Sequence, residues 1–323
     1  MNKEIVKKIS DRIKNSENIA ITSHLRPDGD SICTGIALAL MFEQLGKRAE
    51  VINKDNTPFP FDAFPLAEKI KIGQINKREF ALIILLECAD VSRSGQENIE
   101  GTFLINIDHH HSNSFYAGID WVDAQASAVG EMAFYLGEKL EIEFTPEIAT
   151  YLYAAIASDT GSFQFSNTTA NALEICSKLI RLGAEPIKIN EILFNNNTPQ
   201  KIKLLGRVLA TLEINRSGKV ASITLFRKFL EDLKIQELDT EDITTLARSI
   251  QGIEIVLFFK QMDDNKFRVS LRSKGRINAA YLAEMFGGGG HFHAAGFSIS
   301  GEYQTVVNTV TSKVAEFLKN KKI

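Results

Sequence analysis

No apolar run in this 323-residue chain approaches the roughly 20 residues needed to cross a bilayer. The opening stretch MNKEIVKKISDRIKN reads as an amphipathic helix rather than a signal peptide, so a soluble, cytoplasmic protein that makes no use of a membrane is expected. Cysteine is scarce. Cys33, Cys88 and Cys176 stand singly in apolar or helical stretches, and no Cys-x-x-Cys spacing suggests zinc or redox chemistry. They are expected to be small core residues. Charge of one sign is also lacking: the net charge is only −3 at pH 7. That argues against a protein that coats long duplexes, because non-specific affinity for a polyanion comes mainly from displaced counterions. A small anionic substrate held locally stays compatible. Internal repeats and low-complexity tracts are absent as well.

Apolar residues make up 44% of the chain, enough for a large core, and the length exceeds that at which one domain usually divides. Two domains are therefore expected. In the first half, short apolar strands alternate with helical patterns: NIAITSH, then DSICTGIALALMFEQLG, then AEVIN. FALIILLE and TFLINID are continuous apolar runs of the kind found in a parallel sheet covered on both faces, and both end in acidic residues. Helical patterns follow at SAVGEMAFYLGEKL, at PEIATYLYAAIAS with Pro146 in its first turn, and from about Thr169 to Leu182, stopping at Gly183. Further on, KVASITL, GIEIVLFFKQ and KFRVSLRS alternate as strands do, and the helix INAAYLAEMF leads into GGGGHFHAAGF. The expected architecture is α/β: a mostly parallel sheet flanked by helices over residues 1–188, a helical linker over 189–212, and a smaller α/β domain over 213–323.

The chemistry concentrates where apolar segments end. SHLRPDGDS puts His24, Asp28 and Asp30 in the loop after a buried strand, the end of the strand where α/β sheets place their sites. One imidazole and two carboxylates lie within seven residues, with Gly29 expected to let the backbone turn tightly between the acids. Mixed nitrogen and oxygen ligands suit manganese, iron, cobalt or zinc. The TFLINID strand ends in Asp108, followed by His109, His110 and His111, so three of the six histidines are consecutive. Imidazoles after a buried strand are costly unless paired with acids or metal. Asp159 closes the next helical pattern, and LLECAD supplies Glu87 and Asp90. A pair of metal ions a few ångströms apart needs a shared carboxylate and further ligands on each side, which this set can supply.

In the order SHLRPDGD, LECAD, IDHHHSN and ASDTGSFQFSNTT, these segments resemble the successive motifs of the DHH phosphoesterases, and GGGGHFHAAGF resembles the glycine-rich motif of their DHHA1 domain. The likeness spans nearly the whole chain and is nearest to the nanoRNase and pAp-phosphatase branch, which lacks the extra domains of the larger RecJ exonucleases. It implies a catalytic domain that holds two divalent metal ions, with manganese the expected metal, and a C-terminal domain that binds substrate. His24 and Asp28 would hold one ion, and Asp30, His109 and Asp159 the other. Asp108 would orient an imidazole, and His110 would sit beside the substrate phosphate, both as members of the catalytic machinery. His111 falls outside the motif and is expected at the rim. Two positions depart from the pattern. Glu87 stands where the family has a bridging Asp, so that Glu87 is expected to bridge, with Asp90 able to share or take that role. Gln164 stands where relatives often carry Arg.

In the C-terminal part, Gly287 to Gly290 would let backbone N–H groups approach an anion. Gly288, Gly289, Gly290, His291 and His293 are the expected substrate contacts there. Alternation in KFRVSLRS places Phe267, Val269 and Leu271 on one face and Arg268, Ser270 and Arg272 on the other. The resemblance makes Arg272 and Ser273 part of a substrate-binding strand. Phe292 could stack on a base or belong to the core. Together these imply in-line attack of water on phosphorus with no protein nucleophile, on short single-stranded RNA or DNA oligonucleotides or on nucleotides such as pAp, with a homodimer among the assemblies to be tested. A phosphodiesterase for linear or cyclic dinucleotides and a nucleotide-binding protein without turnover are the alternatives. Inorganic pyrophosphate is disfavoured as substrate, because that relative carries a different C-terminal domain.

Overall fold

Short apolar runs bounded by polar residues become the strands of a six-stranded sheet in the first part of the chain. They are β1 (Asn18–Ser23), β2 (Arg48–Asn53), β3 (Lys71–Ile72), β4 (Leu82–Leu86), β5 (Phe103–Asp108) and β6 (Ile119–Val122), in the order β3-β2-β1-β4-β5-β6. Every neighbouring pair is parallel. The computed structural model describes residues 2–235, 241–290 and 292–320. Within it the chain divides into two units, Met1–Asn196 and Asn197–Ile323.

All five residues of β4 are buried, which is why LIILL shows no alternation. One face of the sheet, with Ile19, Ile21, Ile84 and Ile107, packs against residues from α1 (Lys3–Lys14), α2 (Gly29–Gln44), α3 (Val129–Leu140), α4 (Pro146–Asp159), α5 (Ala170–Arg181) and α6 (Pro186–Phe194). Its other face, with Ala20, Ile83 and Leu85, is closed by Ile75, Phe80, Cys88 and Ile99 from irregular connections. The chain runs outward from β1 to β3, then returns to lay β4 against the other side of β1. The crevice beyond the carboxyl ends of β1 and β4 is thus the topological switch point, where open α/β sheets bind their ligands.

The second unit is a mixed sheet in the order β11-β12-β10-β9-β8-β7. It comprises β7 (Glu213–Ile214), β8 (Val220–Leu225), β9 (Ile255–Asp263), β10 (Lys266–Ser273), β11 (Gly289–Gly290) and β12 (Ala294–Ser300). Only β8 and β9 pair in parallel. On β10 the expected alternation is seen: Phe267, Val269 and Leu271 enter a core with α10 (Ala279–Glu284) and α11 (Tyr303–Asn320), while Arg268, Ser270 and Arg272 point the other way. Leu204 and Val208 of α7 (Pro199–Leu209) and Ile243 and Ala247 of α9 (Glu241–Arg248) pack on the opposite face of β8 and β9. The segment 189–212 is largely helical; Ile189 of α6 joins the first unit's core, and α7 joins the second's. No helix among the described residues is long and apolar enough to cross a membrane.

Candidate metal centre

Three adjacent strands end at the crevice, and each delivers a functional group immediately after its last buried residue. His24 follows β1, Glu87 follows β4, and Asp108 closes β5 with His109 and His110 behind it. Helix α2 starts in the same place: Asp28 is its N-cap, with Oδ1 accepting from the Ser31 amide at 3.1 Å. Gly29 is needed for space rather than for the backbone turn expected of it, since a Cβ there would lie 2.2 Å from Ser158 Oγ and 2.5 Å from a Phe61 ring atom.

Both histidines are set by backbone carbonyl oxygens. Nδ1 of His24 lies 2.9 Å from the Leu25 carbonyl oxygen, and Nδ1 of His109 lies 3.2 Å from that of Ala126. A carbonyl can only accept, so each Nδ1 carries the proton and each Nε2 is turned into the crevice. There His24 Nε2 lies 3.7 Å from Glu87 Oε2 and 3.6 Å from Asp28 Oδ2, while His109 Nε2 lies 3.2 Å from Glu87 Oε1 and 3.8 Å from Asp159 Oδ2. Glu87 therefore has one imidazole on each oxygen. His24, Asp28 and Glu87 each bring a ligand atom within 4.8 Å of the others, and Glu87, His109 and His110 do the same.

The electrostatics of the protein alone are unfavourable. Burial, then the charges of Asp28 and Asp30, push the Glu87 carboxyl well above the usual range. Burial and the charge of Asp30 push Asp159 up to about 7. Asp159 also ends α4, where the helix dipole is negative. Burial alone would depress His24 and His109, but the carboxylates around them prevail and push both up to about 10. Glu87 has φ +56°, a left-handed backbone that costs a non-glycine residue about 1–3 kcal/mol. Both of its oxygens are buried without a hydrogen bond. Such a group is rare unless something outside the chain satisfies it. Divalent cations held by Glu87 together with His24 and His109 would meet that requirement and would supply the missing positive charge. The carboxylate and imidazole donors suit manganese and related ions.

The remaining expected residues are placed as follows. Asp30 is buried beside the crevice; its Oδ1 accepts from Thr34 Oγ1 at 2.9 Å and the Gly130 amide at 2.9 Å, and its Oδ2 accepts from the Val129 amide at 2.5 Å. Asp90 is turned to other work, capping the single turn Val91–Ser94 through the Ser92 amide and hydroxyl. Asp108 Oδ1 lies 2.7 Å from Nδ1 of His110, and its Oδ2 accepts from Asn113 at 2.6 Å. Burial would raise Asp108, but His110 and Asn113 hold it below its ordinary value. Nδ1 of His110 thus faces the carboxylate, and the ring stays within the cluster it forms with Glu87 and His109. His111 is exposed, as expected of a rim residue.

In the second unit, Gly288 and Gly290 are where the close pairing of β11 with β12 requires glycine: a Cβ would lie 2.2 Å from the Gly296 oxygen in the first case and 2.5 Å from Ala295 Cα in the second. Nothing crowds Gly289. Ser273 is buried, donating to the Ile277 carbonyl at 2.6 Å, and its Oγ lies 3.1 Å from His293 Nδ1. Arg272 Nη1 reaches the Leu271 carbonyl at 3.3 Å. Phe292 is 47% exposed, and His291 lies outside the described residues. The sequence reading gave no role to Thr34, Asn113, Asn167 or the Ala126–Gly130 segment. Asn113 and Asn167 do stand in the quoted motifs, as short polar residues shortly after a ligand candidate.

Residues 18–156 match the DHH family N-terminal domain and residues 224–320 match the DHHA1 domain. The bifunctional oligoribonuclease and PAP phosphatase NrnA of Thermus thermophilus is 31% identical over 301 residues, covering 92% of this chain and 90% of that one. An exopolyphosphatase-related protein from Bacteroides fragilis has the same fold, with a TM-score of 0.88, 23% identity and coverage of 98% of this chain and 97% of that one. RecJ from Thermus thermophilus in complex with Mn2+ aligns with a TM-score of 0.50 and 12% identity over 97% of this chain and 54% of that one. With both domains matched in order and a relative aligned along nine-tenths of its length, this chain belongs to the DHH phosphoesterases that carry a DHHA1 domain, metal-dependent hydrolases of phosphate esters.

Proposed function

We propose that the protein hydrolyses short oligoribonucleotides to mononucleotides and also removes the 3′-phosphate of pAp, with two divalent ions, manganese by preference. The observation that carries this reading is the buried Glu87 carboxylate, which makes no hydrogen bond and faces an imidazole on each oxygen. His24 and Asp28 would hold one ion with Glu87, and Asp30, His109 and Asp159 the other. When bound, two such ions supply an activated water and positive charge opposite the phosphate oxygens. The chain's own part is positional. His24 and His109 are locked as Nε2 ligands by the Leu25 and Ala126 carbonyls, and His110 is held by Asp108 so that Nε2 can donate to a phosphate oxygen. Arg272 of the DHHA1 domain would contact a phosphate. Support for the substrates comes from the oligoribonuclease and PAP phosphatase relative that matches both domains.

The test is to incubate purified protein with labelled RNA, from dinucleotide to pentanucleotide, and separately with pAp, in manganese or in EDTA, beside Asp28→Ala. Mononucleotide release and pAp dephosphorylation that need manganese and vanish in the variant are the expected result. Metal-loaded protein that turns over neither substrate would overturn the assignment.

A further inference from the structure

The groups read here as ligands of the second ion come from three distant places: Asp30 from α2, His109 from the end of β5 and Asp159 from the end of α4. One buried segment, from Ala126 into the first turn of α3, reaches two of them directly and the third through Asn167. Its Ala126 carbonyl accepts from Nδ1 of His109 at 3.2 Å and so sets that ring. The amides of Val129 and Gly130 donate to the two oxygens of Asp30. Ala128, the N-cap of α3, has no side chain able to cap the helix, so Asp30 does this from another element. Between these contacts Ser127, fully buried, donates from Oγ to the Asn167 carbonyl at 2.6 Å. The Asn167 amide returns to the Ser127 carbonyl at 3.0 Å and also donates to Asp159, to Oδ2 and to the backbone oxygen, each at 3.1 Å. Asn167 is thus the side-chain link between Ser127 and the Asp159 carboxylate.

The first ion's candidate ligands make none of these contacts. His24 is set by Leu25 and Asp28 by Ser31, both within their own loop and helix end. We infer that Ala126–Gly130, with Ser127 and Asn167 as its side-chain link, is a positioning element that presets the second ion site and leaves the first untouched. This rests on the two-ion reading above. Ser127 and Asn167 touch neither ion nor substrate in this scheme; they act by holding the angle and spacing of Asp30, His109 and Asp159, and the hydrogen-bond partners of metal ligands commonly control affinity about 10- to 100-fold.

Manganese titration by calorimetry and by electron paramagnetic resonance tests this without reference to turnover. Wild-type protein should bind two ions in two classes. Ser127→Ala and Asn167→Ala should each weaken one class about tenfold or more, with the other class unchanged. The double variant should be little worse than either single one, because both break one network. Ser127→Thr, which keeps the hydroxyl, should restore much of the affinity. Thr145→Ala, which removes the cap of α4 far from the crevice, controls for a general loss of stability. It should lower the unfolding midpoint and leave both ion classes as they are. Variants that bind both ions like wild type, or that weaken both classes in parallel with Thr145→Ala, would overturn the inference while the two-ion reading stands. Wild-type protein that binds fewer than two ions would overturn both.

Discussion

Single residues in the crevice carry a charge problem that bound cations would resolve, and pH exposes it. In metal-free protein His24 and His109 are pushed up to about 10 from an ordinary 6.5. A raised histidine stabilises the fold fully below its unfolded value and loses that contribution as pH rises toward the folded value. Metal-free protein should therefore lose unfolding midpoint as pH climbs from 6.5 toward 10. Ligation needs neutral imidazoles, so manganese should bind better over the same rise, and the gap between midpoints with and without it should widen. Thermal unfolding across pH, with EDTA and with manganese, checks this; a gap that narrows with rising pH would contradict it. At this scale the sequence was informative about identity and silent about aim. His24, Asp28, His109 and Asp159 announce themselves at segment ends, but whether Glu87 or Asp90 faces the imidazoles depends on a local turn. Asp90 is spent on the Ser92 amide, and an acid three residues from another carries no mark of that in one dimension.

At the scale of elements, periodicity served well and glycine poorly. The alternation of KFRVSLRS and the unbroken run LIILL can each be read directly, because pleat and burial set the pattern. The glycine run reads equally as an anion loop or as a flexible turn. In the structure two of its members let β11 lie on β12, a requirement created by Gly296 and Ala295, which come several residues later. Gly290 has φ +149°, a region nearly closed to other residues. Gly290→Ala should therefore destabilise the second unit by about 1–3 kcal/mol. Gly289→Ala, with nothing near it, should stay within about 0.5 kcal/mol. Chemical denaturation of the two variants separates these cases, and equal losses would show that the strand pairing is not what requires glycine.

For the whole molecule, two separate cores and a candidate two-ion centre confined to one unit make the two halves unequal. Every candidate ligand lies in Met1–Asn196, whereas the core formed by Phe267, Leu271, α10 and α11 belongs entirely to Asn197–Ile323. Ligand binding stabilises only what binds it, by about 2.7 kcal/mol when the ion is at a hundredfold its dissociation constant. Scanning calorimetry should show two transitions, of which manganese raises one. A single transition that moves as a block would show that the units unfold as one. The split near Asn196 has no mark in composition, since α6 and α7 follow one another as short helices that each begin at a proline and differ in which core receives them.

The spread of the candidate ligands along the chain, from His24 to Asp159, also bears on how the protein is made. During synthesis the emerging chain presents His24 and Asp28 long before Glu87, His109 and Asp159 exist to complete the set. An ion met early finds only a loose pair of groups on an unfinished sheet, and the strand that carries Glu87 must slot in beside β1 before any crevice exists. On the two-ion proposal, loading would thus be deferred until the first unit is complete, and the pool of free metals around the finished protein would decide the identity of the ion rather than whichever ion reaches the nascent chain first.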